Sequence, residues 1–122
     1  MIAAGAALAG LEALADPERA AAMAAYHKTD RRCLGLQVPQ IEALVAEWRA
    51  EGPAIRDRVV LAGGLWDSGV FEARIAAAKL LVQARLAAED DAVVWDEFLR
   101  WVPEFDGWAL ADFACKVGER RL

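Results

Sequence analysis

Residues 70–80 read VFEARIAAAKL, and residues 107–117 read GWALADFACKV. When the two segments are aligned, Phe71 meets Trp108, small residues meet small residues in the middle, and Lys79 meets Lys116. Each segment follows a turn and a shorter apolar helical pattern. The chain therefore repeats a pair of helices at an interval of about 37 residues.

Helical spacing of apolar residues continues along the rest of the chain, and no segment shows the alternation that is typical of a β-strand. Asp16 and Pro17 mark one helix start clearly, because aspartate is a favoured N-cap and proline a favoured first residue. The pattern predicts about seven helices, near 2–15, 17–26, 38–51, 55–66, 71–88, 89–102 and 107–120. Helix pairs at this interval are typical of repeat proteins, so we expect one all-α domain over residues 1–122, built as a right-handed solenoid of HEAT-like antiparallel helix pairs.

The composition excludes several classes of protein. Apolar residues make up 57% of the 122 residues, which is too much for a disordered chain and enough for one domain with a core. The net charge of −5 disfavours nucleic acid as a first guess for the partner, although a local basic face can coexist with an acidic total. The apolar stretch 1–15 has no basic residue, contains Glu12 and is too short to span a membrane, so we expect a cytoplasmic protein without a membrane partner.

Few groupings of residues in this sequence could carry catalysis. His27 is the only histidine, and no serine or cysteine motif accompanies it. Cys33 and Cys115 lack the spacing of a zinc site, and no glycine-rich phosphate loop is present. We therefore expect neither a metal nor a cofactor, and carboxylates and aromatic rings remain as candidates.

Trp108 and Asp112 lie four residues apart in the last predicted helix and so share one of its faces. An acid beside the apolar stripe of that helix is costly unless it is solvated or has a partner. Spacing alone leaves two alternatives open: a buried ring beside a solvated acid, or two walls of a functional pocket. The other tryptophans have the spacing of helix–helix contacts and are predicted to lie in the core: Trp48, Trp66, Trp95 and Trp101.

Two further groups of charged residues have both a structural and a functional interpretation. The densest positive stretch consists of His27, Lys28, Arg31 and Arg32, and it is either a solvated loop or a surface for phosphates. Glu72 follows a turn, where the helix dipole favours an acid, and Arg74 is expected to pair with the preceding helix.

Three segments, in this order, resemble the DNA alkylation repair glycosylases of the AlkD type. They are YHKTDRRCLGLQVPQIEALVAEW at 26–48, LWDSGVFEARIAAAKLL at 65–81 and WALAD at 108–112. The resemblance extends from about Leu11 to the end of the chain, and it implies a concave helical face that holds duplex DNA containing alkylated bases. It also implies hydrolysis of the N-glycosidic bond of purines alkylated at N3 or N7, which are cationic and therefore good leaving groups.

The resemblance further implies roles for single residues. Asp112 would stabilise the positive charge that develops on the sugar, and Trp108 would offer its ring to the nucleotide. Tyr26 and Gln37 match positions near the lesion and the DNA backbone, and both are expected to bind substrate.

The same family also uses an arginine and a second tryptophan on later helices, which this chain does not reach. We therefore expect an N-terminal part of a longer solenoid, with an incomplete groove and little activity alone. Its last helix would expose an apolar side that could form a homodimer. The acidic total charge keeps a second hypothesis open, a non-catalytic HEAT-like module that binds DNA or protein.

Overall fold

The computed structural model describes residues 1–82, 86–105, 108–119 and 121, and for Trp108 and Ala109 it describes the backbone alone. Within these ranges the chain is all-α and contains no strand, as the periodicity predicts. The helices are α1 (Ala4–Glu12), α2 (Pro17–His27), α3 (Val38–Ala50), α4 (Ile55–Asp67), α5 (Phe71–Leu81), α6 (Ala88–Trp101) and α7 (Trp108–Glu119). A 3₁₀ turn at Val102–Glu104 connects α6 with the segment before α7. None of the helices in the described ranges is long and apolar enough to span a membrane.

The helices form two layers. In one layer α4 packs between α1 and α6, and in the other α5 packs between α3 and α7. The layers meet where α4 packs against α5 and α6 packs against α7. The two repeated segments are therefore neighbours, α5 and α7, in one layer of a helical-repeat protein.

Helix α5 lies at the centre of the molecule, and all its residues except Lys79 are buried. Its alanines let the flanking helices approach closely. The prediction of one helix over 71–88 was wrong at its C-terminal end, because α5 ends at Leu81 and Val82 has an extended backbone. Helix α6, which lies in the other layer, begins at Ala88, although the helical spacing of apolar residues in the sequence continues past Leu81.

Tryptophans connect the helices of the other layer. The rings of Trp66 on α4 and Trp101 on α6 are stacked, with centroids 4.5 Å apart and an interplanar angle of 3°. Both side chains are fully buried, Trp48 is buried, and Trp95 packs against the core while partly buried. The core positions predicted for these four residues are confirmed.

Glu72 holds the loop before α3 in place. Its carboxylate is fully buried and accepts hydrogen bonds from the backbone N–H groups of Leu34, Gly35 and Leu36, at 2.8, 2.8 and 3.2 Å. The interpretation of Glu72 as a first-turn acid favoured by the dipole was therefore incomplete, because its main partners lie 36 to 38 residues earlier in the chain. Burial and the nearby Glu72 carboxylate raise the pKa of the Cys33 thiol in the same loop.

Arg74 makes the predicted contact with the preceding helix. Its Nε donates to the Trp66 carbonyl at 3.0 Å, and its guanidinium lies 4.3 Å from the centroid of the Trp66 ring. The buried guanidinium also forms a 2.8 Å ion pair with Glu104. Arg74 thereby ties α4 and α5 to the 3₁₀ turn that precedes α7.

The remaining helix boundaries follow the predicted ones with one exception. Helix α1 covers Ala4–Glu12 and is shorter than the predicted range 2–15. The predicted cap of α2 is confirmed, because the Asp16 carboxylate accepts from the N–H groups of Glu18 and Arg19. The outer ends of the last predicted helix, residues 107 and 120, lie outside the described residues.

Candidate functional site

An open pocket of about 270 Å³ lies between α2, the loop before α3, and helices α3, α5 and α7. Its lining residues are Met23, His27, Leu36, Val38, Ile41, Phe71, Ile75, Asp112 and Phe113. Asp112 is exposed, so its carboxylate can be solvated, and it nevertheless forms part of the wall of an otherwise mostly apolar pocket. Among the described lining residues, Asp112 and His27 alone carry ionisable side chains.

Helix α7 presents Asp112 because its opposite side is anchored in the core. Leu110, Ala114 and Val117 are buried, and their spacing leaves Asp112 on the outer side. Trp108 begins α7 one turn earlier, but the structure describes only its backbone. The predicted contact between the Trp108 ring and the Asp112 carboxylate therefore stays a prediction.

The end of α2 adds aromatic groups to the pocket. The His27 ring packs on Phe71, with centroids 4.9 Å apart, and contacts the Tyr26 ring edge to face at 5.0 Å. Tyr26 itself is 70% exposed and lies at the surface beside the pocket. Sequence reasoning missed His27 as a lining residue, although Met23 lies four residues earlier and shares its helix face.

Gln37 lies at the N-cap of α3, between two residues that line the pocket. Leu36 and Val38 form part of the wall, whereas Gln37 is exposed. Its backbone N–H donates to the Gln40 side chain at 2.8 Å, which stabilises the start of the helix. The structure therefore brings Gln37 to the rim of the pocket that contains Asp112.

A groove of about 330 Å³ adjoins the pocket along α3, α5 and α7. Phe113 lines both cavities and forms their common wall. The Nζ atoms of Lys79 and Lys116 lie 4.9 and 5.5 Å from the centroid of the Phe113 ring, within the range of cation–π contacts. Glu42 faces the same groove and forms a 3.1 Å ion pair with Lys79.

The predicted basic loop is divided between two parts of the surface. Lys28 and Arg31 line a separate polar pocket of about 490 Å³, and Arg31 also donates to the Glu104 carbonyl at 3.3 Å. Arg32 forms a 2.8 Å ion pair with Glu12 on α1. Lys28 directly follows His27 and lies near the Asp112 pocket. Arg32, by contrast, forms its ion pair with α1, in the other helix layer.

The described part of α7 exposes apolar and charged side chains side by side. The side chains there that are exposed to solvent, wholly or in part, include Ala111, Asp112, Phe113, Cys115, Lys116 and Glu119. Three of these are charged, and Phe113 forms the wall between the pocket and the groove. Homodimerisation through this helix stays a prediction.

Fold and site together define a class: an all-α helical-repeat protein with a carboxylate in a pocket beside a groove that contains lysines. The chain belongs to the DNA alkylation repair enzyme family, whose model matches residues 7–122. This assignment confirms the resemblance seen in the sequence and places the protein in DNA repair, with DNA as the partner that the family implies. Neither a curated protein nor a solved structure was found to match the chain.

Proposed function

We propose that the protein is a DNA glycosylase that hydrolyses the N-glycosidic bond of purines alkylated at N3 or N7 in duplex DNA. The observation that carries this proposal is the position of Asp112, a solvent-accessible carboxylate on the wall of a mostly apolar pocket. The adjoining groove supplies Lys79 and Lys116 for the DNA backbone. Membership in the DNA alkylation repair enzyme family supports the choice of DNA as substrate.

The chemistry of such lesions suits a pocket with few ionisable groups. A purine alkylated at N3 or N7 carries a positive charge, and it leaves as a neutral base when it takes the electrons of the N-glycosidic bond. The sugar then acquires the positive charge, a water molecule adds to C1′, and a proton is released. No protein acid has to protonate the base, so the essential contribution is a negative charge near C1′, which Asp112 would provide.

The other predicted residues have supporting roles in this proposal. Trp108, one turn before Asp112, would place its ring against the cationic nucleotide. Tyr26 and Gln37, both exposed near the pocket, would contact the nucleotide and the adjacent backbone. Lys28 and Arg31 would contact phosphates farther along the duplex, whereas the ion pair with Glu12 makes Arg32 the weakest of the proposed phosphate contacts.

The direct test is release of 7-methylguanine from methylated duplex DNA by the product of the complete open reading frame. We expect release well above the spontaneous rate, because the cationic base is a good leaving group. A duplex that contains hypoxanthine, an uncharged purine, is the matched control and should lose no base. Loss of 7-methylguanine at the same rate with and without protein would contradict the proposal.

A non-catalytic DNA- or protein-binding module is the second candidate. The net charge of −5 and the engagement of Arg31 and Arg32 in internal contacts favour it, because both weaken an extended DNA surface. Such a module would bind methylated and unmodified duplex with equal affinity, or bind neither, and would release no base. Binding and base release measured on the same samples distinguish the two candidates.

A further inference from the structure

The interval of 37 residues that relates α5 to α7 also relates α3 to α5. It aligns Glu42, Lys79 and Lys116, and all three residues line the groove beside the pocket. The same repeat position is thus occupied by an acidic residue on α3 and by lysines on α5 and α7. We name Glu42, Lys79 and Lys116 the charged row.

The charged row runs alongside a second row that belongs to the pocket. Val38, Ile75 and Asp112 are related by the same interval, and all three line the pocket. Each member of the pocket row lies four residues before a member of the charged row, so the two rows share a helix face. A backbone group of a nucleotide held at Asp112 would therefore lie near the charged row.

The groove carries more positive than negative charge. Arg49, Lys79 and Lys116 line it together with a single described acid, Glu42. Lys116 has no ion-pair partner among the described residues, whereas Lys79 is engaged by Glu42 at 3.1 Å. An anion that enters the groove can reach Lys116 directly, but it must compete with Glu42 for Lys79.

The ion pair between Glu42 and Lys79 can separate without disturbing the core, because it lies at the surface. The Glu42 side chain is 57% exposed and that of Lys79 is 21% exposed, so the carboxylate can move into solvent while the ammonium stays at Phe113. Exposed ion pairs of this kind contribute little to stability. A phosphate that contacts both Lys79 and Lys116 would therefore replace Glu42 readily.

We propose that Glu42 occupies the position of a DNA phosphate on Lys79, and that a backbone phosphate beside the nucleotide at Asp112 displaces it when duplex DNA binds. This inference rests on the DNA-binding part of the proposed function and is independent of base release. The exchange replaces one anion by another on Lys79, so Glu42 lowers the affinity for any duplex.

The experiment is a double-mutant cycle, with binding of an undamaged duplex measured at several salt concentrations. Glu42→Gln should bind about threefold more tightly than the parent, because the phosphate no longer competes with a carboxylate for Lys79. Lys79→Gln should bind more weakly and reduce the salt slope by about one phosphate contact. In the Lys79→Gln background, Glu42→Gln should give no gain, since the two residues act through one contact.

Glu47→Gln is the matched control, because Glu47 is an exposed acid on α3 that does not line the groove. It should leave the affinity close to that of the parent. An equal gain from Glu42→Gln in both backgrounds would show an effect of total charge alone and overturn the proposal, as would the absence of any gain. Inorganic phosphate should compete no better than chloride at equal ionic strength, and stronger competition would identify a free-phosphate site instead.

Undamaged duplex separates this inference from the proposed reaction. If base release fails while the cycle shows coupling, the groove binds DNA and the glycosylase assignment is wrong. If base release succeeds while the cycle shows no coupling, the reaction stands and the role of Glu42 is wrong.

Discussion

Gly35 lies where the loop before α3 closely approaches the start of α2. Its φ is +89°, and a Cβ there would lie 2.2 Å from the carbonyl oxygen of Asp16. The same loop is tied to α2 by a hydrogen bond from the Asp16 N–H to the Leu34 carbonyl, at 2.8 Å, and to α5 by the buried Glu72 carboxylate. The loop forms one wall of the pocket, so its position depends on this contact.

We predict that Gly35→Ala lowers the free energy of unfolding by about 3 kcal/mol, because it adds a clash to an unfavourable backbone conformation. Gly52→Ala is the matched control: Gly52 also has a positive φ, +68°, but a Cβ there would meet no described atom within 4 Å. It should cost about 1 kcal/mol, from backbone strain alone. Urea denaturation measures both values, and equal losses would contradict the proposed close approach.

Residue roles that depend on distant partners could not be read from the sequence. Glu72 follows a turn, which explains its place at a helix start, but its three donor partners lie in a loop that precedes it by 36 to 38 residues. His27 appeared as part of a basic stretch because its neighbours in sequence are charged, whereas its neighbours in space are Phe71 and the pocket. The position of Asp112 on an outer face was predictable, because it follows from the helical period alone.

Helices α6 and α7 approach each other closely at Gly118. A Cβ on Gly118 would lie 2.7 Å from the Phe98 ring. A Cβ on Gly10, in α1, would meet no atom of the described residues within 4 Å. The two glycines therefore separate the effect of helix propensity from that of packing between helices.

We predict opposite effects for one substitution at these two positions. Gly118→Ala should destabilise the protein by about 1–3 kcal/mol, because overpacking forces α6 and α7 apart. Gly10→Ala should stabilise it by about 0.5–1 kcal/mol, because alanine favours the helix and meets no neighbour. Thermal unfolding of both variants measures the difference, and a gain of stability from Gly118→Ala would show that α7 does not pack on Phe98 as described.

Helix boundaries were predictable from the sequence where a local pattern or a cap marks them. They were less predictable where packing between the two helix layers determines the end of a helix. Helix order and most boundaries follow from periodicity and from caps such as Asp16. The end of α5 at Leu81 does not, because the helical spacing of apolar residues continues past Leu81 in the sequence. The repeat at 37 residues predicted that α5 and α7 are equivalent, and they pack side by side in one layer.

At the scale of the whole molecule, the distribution of charge matters more than its sum. The chain carries a net charge of −5, yet Arg49, Lys79 and Lys116 gather at one groove beside the pocket. Glu42 is the single described acid that lines this groove, and other acids lie elsewhere, for example at the start of α6. The acidic total charge therefore does not exclude a polyanionic partner. Because the basic residues of this groove would contact its phosphates, we expect binding to weaken as the salt concentration rises.

The central claim is that the carboxylate of Asp112 stabilises the charge on the sugar, and single-turnover release of 7-methylguanine by Asp112→Asn tests it most directly. Asp96→Asn, which removes an exposed acid from α6, is the matched control. The account predicts that Asp112→Asn releases the base at least about 100-fold more slowly than the parent while it still binds duplex, and that Asp96→Asn behaves as the parent does. Release by Asp112→Asn at the rate of Asp96→Asn would contradict the account.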